Sequence, residues 1–318
     1  FYSAAGGGVL IALMALFKIY LGSIIDDKVW KGIAEGLNYG LGFMVIFMLH
    51  FTVATKQPAM TAARFAEAVE KTPQGKSVNM KLAQLLVDVF RSQSIAVLGN
   101  VLIAMGLAAL IAFGYQYKTG EPLMNAEQIA YQLHSIDPFA GTLWFAAIAG
   151  VWLFCSGIIS GYFDNRSNYL NMRMRLTQHP LLKKLMSEKS RVKFANYMHE
   201  NYGSLIGNLC FGMLLGITGV VGYLTHLPLD IRHVAFSSAN VGYIAVSGQF
   251  TYSLLLQCIG FVLLIGLVNL IVSFSLTLWV ALRSLNAEIE SWWPIWHEVC
   301  QIVKKRPLSL FLPVQLDK

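Results

Sequence analysis

The sequence predicts an all-α, polytopic membrane protein: a transmembrane helical bundle of about six spans plus one re-entrant or half-helix segment. Three observations predict it. Hydrophobic residues make up 56% of the 318 residues and charged residues 13%, about half the charged share of a soluble domain. Mean hydropathy is +0.56. The few charges are clustered, so that no Asp, Glu, Lys or Arg lies between Glu35 and Lys56, Arg91 and Lys118, Asp137 and Asp164, Glu200 and Asp230, or Arg232 and Arg283. Each interval holds the roughly 20 apolar residues that cross a bilayer. An ordinary soluble enzyme, a disordered chain and a fibrous repeat are excluded on the same grounds.

The predicted spans are 4–25, 36–55, 94–116, 139–163, 203–224 and 254–282. The first contains Lys18, placed to snorkel or to pair inside the bundle. The last would reach about 43 Å at 1.5 Å per residue, so it tilts or protrudes beyond a ~30 Å hydrocarbon core. Ahead of it, residues 234–250 are small and hydroxyl-rich, with Ser237, Ser238, Asn240, Gly242, Ser247 and Gly248. That stretch makes a poor span. It reads as a re-entrant segment whose backbone is satisfied by the bundle or by a water-filled cavity. Residues 1–283 therefore form the transmembrane bundle and 284–318 an amphipathic cytoplasmic tail. In the tail Leu285, Ile289, Trp292, Trp293, Trp296 and Val299 recur at helical spacing, and Pro294 kinks or restarts the helix. Residues 78–90 form a second amphipathic helix through Val78, Leu82, Leu85, Leu86 and Val89, lying on the membrane or against a partner.

Cationic residues orient the bundle. The connections 56–93 and 164–202 hold six and eight Lys/Arg, and the tail from Arg283 holds five, nineteen in all; the three alternate connections hold four. By the positive-inside rule both ends face the cytoplasm. Trp30, Trp144, Trp279, Trp292, Trp293 and Trp296 fall near span ends, where aromatic belts sit. Four glycine pairs at GxxxG spacing, Gly36/Gly40, Gly157/Gly161, Gly203/Gly207 and Gly212/Gly216, let helix backbones approach closely in lipid. The four cysteines, Cys155, Cys210, Cys258 and Cys300, fit neither a disulfide framework nor a zinc site. No metal or cofactor site is read from the sequence. The chain opens at Phe1 rather than Met and reads as a fragment or processed chain.

Several stretches carry a family resemblance: residues 54–63 (Ala-Thr-Lys-Gln-Pro-Ala-Met-Thr-Ala-Ala, with Lys56 and Gln57), Gly161 to Arg166 followed by Tyr169, Gly207-Asn208 leading into Phe211-Gly212, and Leu227 to Val234. Together they resemble the bacterial membrane protein family that carries the label "site-specific recombinase" (Gcr-like). The resemblance covers essentially the whole chain. It implies an inner-membrane location and a longer protein of which this is the membrane-embedded C-terminal half.

The residues do not supply the chemistry of that label. A tyrosine recombinase needs a Tyr nucleophile among two arginines, His and Lys, yet none of the seven histidines has Arg three residues later. A serine recombinase needs its Ser on a soluble domain among arginines. The carboxylates Asp88, Asp164 and Glu188 lie in separate basic segments rather than in a three-carboxylate metal motif.

Other candidates remain. Asp230, Arg232 and His233 lie at the outer end of span five, and Asp230 and Arg232 are the only charges in their connection. A charge pair at a low-dielectric boundary would pin the small-residue segment that follows; a substrate or ion site is the alternative. Asp164, Asn165 and Arg166 follow span four, where Asp or Asn can cap a new helix and Arg can reach lipid phosphate. Asn38, His50, Asn100, Asn208, Gln257 and Asn269 lie within spans and should face the bundle interior, as interhelical glue or as a polar pathway.

The leading functional reading is a transport or channel-like module, or a membrane scaffold for a soluble N-terminal half. Membrane-tethered recombination and lipid handling by an enzyme follow. Anionic lipids of the cytoplasmic leaflet are the expected partners through the basic connections, with a protein partner next. Nucleic acid ranks last, because no DNA-binding signature accompanies the cations.

Overall fold

The computed structural model describes residues 1–53, 62, 65–69, 76–248, 250–287, 289 and 291–310. Every regular element among them is a helix, in the order α1 (Tyr2–Ile24), α2 (Lys28–Met48), α3 (Lys76–Thr119), α4 (Ala126–Ile136), α5 (Thr142–Tyr169), α6 (Met172–Gln178), α7 (Pro180–Leu185), α8 (Glu188–Thr225), α9 (Val234–Ala245), α10 (Tyr252–Ser284) and α11 (Trp293–Lys305). Short 3-10 turns lie at Pro138–Ala140 and Pro307–Leu310. The fold class is all-α, as the sequence predicts.

Among the described residues, five helical stretches are long and apolar enough to cross a membrane: Tyr2–Ile24, Asn79–Thr119, Thr142–Tyr169, Glu188–Thr225 and Tyr252–Ser284. The expected span over 36–55 is different. Its helix, α2, starts at Lys28 and stops at Met48, and it is not among the five. Lys28, Lys31, Glu35 and four glycines dilute its hydropathy. His50, expected inside that span, lies beyond its end, exposed, with φ 59°. Gln257 also departs from expectation, standing exposed near the start of α10 rather than facing inward.

The chain packs as two units. One comprises residues 1–16, 51–154 and 230–318. Here the expected half-helix is α9, twelve residues long. At 1.5 Å per residue it covers about 18 Å, too little for a ~30 Å core. Ten of its twelve residues are buried. It lies against α3, α4 and α10. Gly242 makes the α3 contact possible, since a Cβ there would fall onto the Met105 carbonyl. The Tyr243 hydroxyl donates to the Ala12 carbonyl at 2.8 Å, and the Ser238 hydroxyl donates back to Ala235 O at 2.7 Å. Asn100, fully buried, donates to the carbonyls of Ala4 and Thr52.

The same unit gives the two amphipathic segments to each other. Residues 78–90 are the first turns of the 44-residue α3, and Leu82 and Ala83 pack with Phe65, Leu278 and Ile295. Ile295 belongs to α11, which Pro294 opens in its first turn. Phe65 stacks on Trp292 with ring centroids 5.9 Å apart.

The other unit comprises residues 17–50 and 155–229. Its centre is the crossing of α2 and α8. The pair Gly36/Gly40 meets the pair Gly212/Gly216: a Cβ on Gly212 would land on the Gly40 backbone, and one on Gly216 on that of Gly36. Phe43 and Phe211 pack beside this crossing, 5.0 Å between centroids. Lys18 pairs with Glu35 at 3.3 Å and lies 5.7 Å from the Tyr39 ring centroid. Gly203 and Gly207 take a second close approach, to Ser160 and Ser156 of α5. Gly161 faces open space, so the Gly157/Gly161 spacing does not build a comparable seam at Gly161.

Candidate functional site

The eight residues between α8 and α9 carry no regular structure. They leave α9 with a buried N-terminus, whose first N–H groups have no partner within the helix. A side-chain oxygen at the N-cap usually helps, but the N-cap here is His233, which makes no cap bond. Asn269 of α10 does so from across the bundle. Its Oδ1 accepts from Val234 N at 3.1 Å. Its Nδ2 donates to Ala146 O at 2.7 Å and to Arg232 O at 3.0 Å. Asn269 is fully buried, and both amide hydrogens and the carbonyl oxygen are occupied. Glycines let the helices close up around it: a Cβ on Gly266 would crowd the Val234 side chain, 2.9 Å away, and one on Gly150 would lie 3.1 Å from the main-chain oxygen of Asn269.

Arg232 extends the bracket. Its Nη1 reaches Asp230 Oδ2 at 2.6 Å, the pair the sequence predicts, and Ile231 O at 2.7 Å. Its Nε donates to Ser135 O at 2.7 Å, a carbonyl that also accepts from the buried Thr142 hydroxyl at 3.0 Å. Its backbone N–H donates to Phe145 O at 3.2 Å, and the guanidinium carbon lies 5.4 Å from the Phe145 ring centroid. Arg232 thus ties the connector to the end of α4 and the start of α5. His233 is buried and sits edge-on to Phe236, centroids 6.1 Å apart.

A family model described as "Site-specific recombinase" matches residues 1–313. The chain belongs to the site-specific recombinase family. Neither the curated proteins nor the solved structures contain a match to it.

In this member of the recombinase family the remaining predicted residues fall in other places. Asp164, Asn165 and Arg166 do not cap a new helix: α5 runs through them to Tyr169. The apolar run ends before them, but the helical hydrogen bonds continue for more than a turn. Asp164 instead accepts from the Gly203 backbone N–H at 2.9 Å, an interhelical bond possible because a Cβ on Gly203 would collide with that carboxylate. Asn208 donates to Ser204 O within its own helix at 2.7 Å. Lys56 and Gln57 lie outside the described residues. Sequence reasoning missed Ser135, Thr142, Ala146 and Tyr243. Ser135 and Ala146 contribute through main-chain carbonyls, which leave no trace in residue type, and Thr142 through a hydroxyl that donates to one of them. Tyr243 left one: a phenol in an otherwise small, buried segment needs a hydrogen-bond partner.

The two charges of the bracket should differ in weight. Arg232→Gln removes a donor from the Ser135, Ile231 and Asp230 oxygens and is expected to cost roughly 1–3 kcal/mol. Asp230→Asn breaks only a partly exposed pair and should cost less than about 1 kcal/mol. Thermal unfolding of both variants in mild detergent checks the ranking; equal or reversed losses contradict it.

Proposed function

We propose that this chain is a membrane-embedded scaffold in the bacterial inner membrane, with both ends cytoplasmic, rather than a solute pathway. The observation that carries this reading is Asn269. A transport path through 234–250 needs polar groups with bonding capacity to spare, and Asn269 spends its own on Val234, Ala146 and Arg232. The hydroxyl of Ser238 is likewise bonded within its helix. The half-helix is held as a packed wedge, not as a lining. The alternation of Lys/Arg between connections supports the orientation, which takes α2, 21 residues long, as a sixth crossing beside the five more apolar helices.

Thiol accessibility tests the scaffold reading. Ser238 is fully buried, so Ser238→Cys, made without the native cysteines, should resist a membrane-impermeant thiol reagent until the protein unfolds. Rapid labelling of the folded protein, blocked by a co-applied solute, would replace the scaffold with a transport path.

The family label supports a second reading, DNA recombination at the membrane. Exposed Arg173, Arg175, Lys183 and Lys184 on α6 and α7 give it cations. It expects DNA binding that weakens steeply with salt; binding absent at low salt removes it.

A further inference from the structure

We infer that the chain holds one anionic phospholipid in a groove between α3, α10 and α11, acyl chain inside and phosphate on the cations around Lys304. The groove has a volume of about 840 Å³. Its wall runs down α10 from Leu267 to Leu282, across α3 at Leu86 to Phe90, and along α11 to Val303. Apart from the indoles, Ser275 is the only polar side chain among the described residues that line it. Such a surface repels water and any charged solute, and it accepts hydrocarbon.

Three features name the occupant. The α10 wall spans about 22 Å at 1.5 Å per residue, more than the ~15 Å depth of one leaflet, half of a ~30 Å core. A whole acyl chain therefore fits along it. Trp279, Trp292 and Trp296 line the groove and are exposed by 62%, 38% and 53%, and indoles of this kind favour the headgroup level. Among the described residues, cations outnumber the acidic residues beside the wall, which are Asp88, paired with Arg91 at 3.0 Å, and Glu298. Val303 and Leu310 are both wall residues, and the chain between them contains exposed Lys304, Lys305 and Arg306. Arg283, exposed, follows the last α10 wall residue. Clustered cations beside an aromatic-rimmed apolar groove match a phosphate-bearing, net-negative headgroup better than a zwitterionic one. The groove lies wholly within one of the two units, and the lipid site is independent of whether 234–250 is a wedge or a pathway.

Native mass spectrometry of the delipidated full chain, titrated with phosphatidylglycerol and with phosphatidylcholine of the same acyl chains, tests the inference. One phosphatidylglycerol should be retained at least ~10-fold more tightly than phosphatidylcholine. Lys304→Gln with Lys305→Gln and Arg306→Gln should bring the ratio close to one while leaving the protein folded. Ser275→Trp, or Val303→Trp if the first does not fold, should abolish retention of both lipids. Equal affinities in the wild type overturn the inference. So does a preference that survives both the charge and the groove variants, which would place the lipid elsewhere. If lipid is retained only after residues 311–318 are deleted, the tail is the native occupant and the inference is also wrong.

Discussion

Replacing Asn269 with leucine is expected to be among the most damaging single changes in the protein. The substitution keeps the branching at Cγ but strips the partner from a buried N–H, at Val234, and from the carbonyls of Arg232 and Ala146. An unsatisfied buried polar group costs about 1–3 kcal/mol. With lipid and protein rather than water around them, these groups have no easy substitute, so the loss should be about 3 kcal/mol or more. Asn269→Asp is a sharper probe. It keeps the acceptor for Val234 but turns a carboxylate onto two carbonyl oxygens, and it should fare no better than leucine. Unfolding in mixed micelles reads both; a midpoint within about 1 °C of wild type would mean that the bracket bears little of the load.

Gly212→Leu should be comparably severe, by a different route. At the crossing of α2 and α8 the backbones of Gly40 and Gly212 touch without intervening side chains. A leucine there forces the helices apart. Overpacking of a fitted interior costs about 1–3 kcal/mol and sometimes more, and the contact between Phe43 and Phe211 would be lost with it. Gly161→Ala is the internal control. Nothing lies within 4 Å of the position its Cβ would take, and a helical glycine generally gains from alanine, so this variant should match or slightly exceed wild type. Fluorescence-detected thermal melts separate the two outcomes. Equal behaviour of Gly212→Leu and Gly161→Ala would contradict the assigned seam.

Both predictions rest on features only partly visible in the sequence. The glycine spacing announced close helix approach, but periodicity does not say that the pair at 36 and 40 meets the pair at 212 and 216, while Gly161 meets nothing. A short helix after Arg232 was legible because residues 234–250 are uncharged and rich in small and hydroxyl side chains, which make a poor span. Its support was not, because Asn269 bonds main-chain atoms, and every residue type offers those alike. The Asp230–Arg232 pair was legible because two opposite charges stood alone in an apolar stretch. Asp164 misled for a related reason: a carboxylate just past an apolar run usually caps a helix, and here the neighbouring glycine offered its N–H instead. The end of α2 misled because hydropathy continues past Met48 while the helix does not.

The proposed scaffold rests on a buried short helix, α9, whose first turn is bonded by a side chain from α10. Amide hydrogen exchange over 234–245, compared between wild type and Asn269→Leu in the same lipid nanodiscs, tests it most directly. Protection in the wild type should approach that of α10. In the variant it should fall first across the opening turn from Val234 to Ser237, with α10 little changed. Fast exchange of α9 in the wild type, or a profile that Asn269→Leu leaves untouched, would mean that Asn269 does not hold the helix in place.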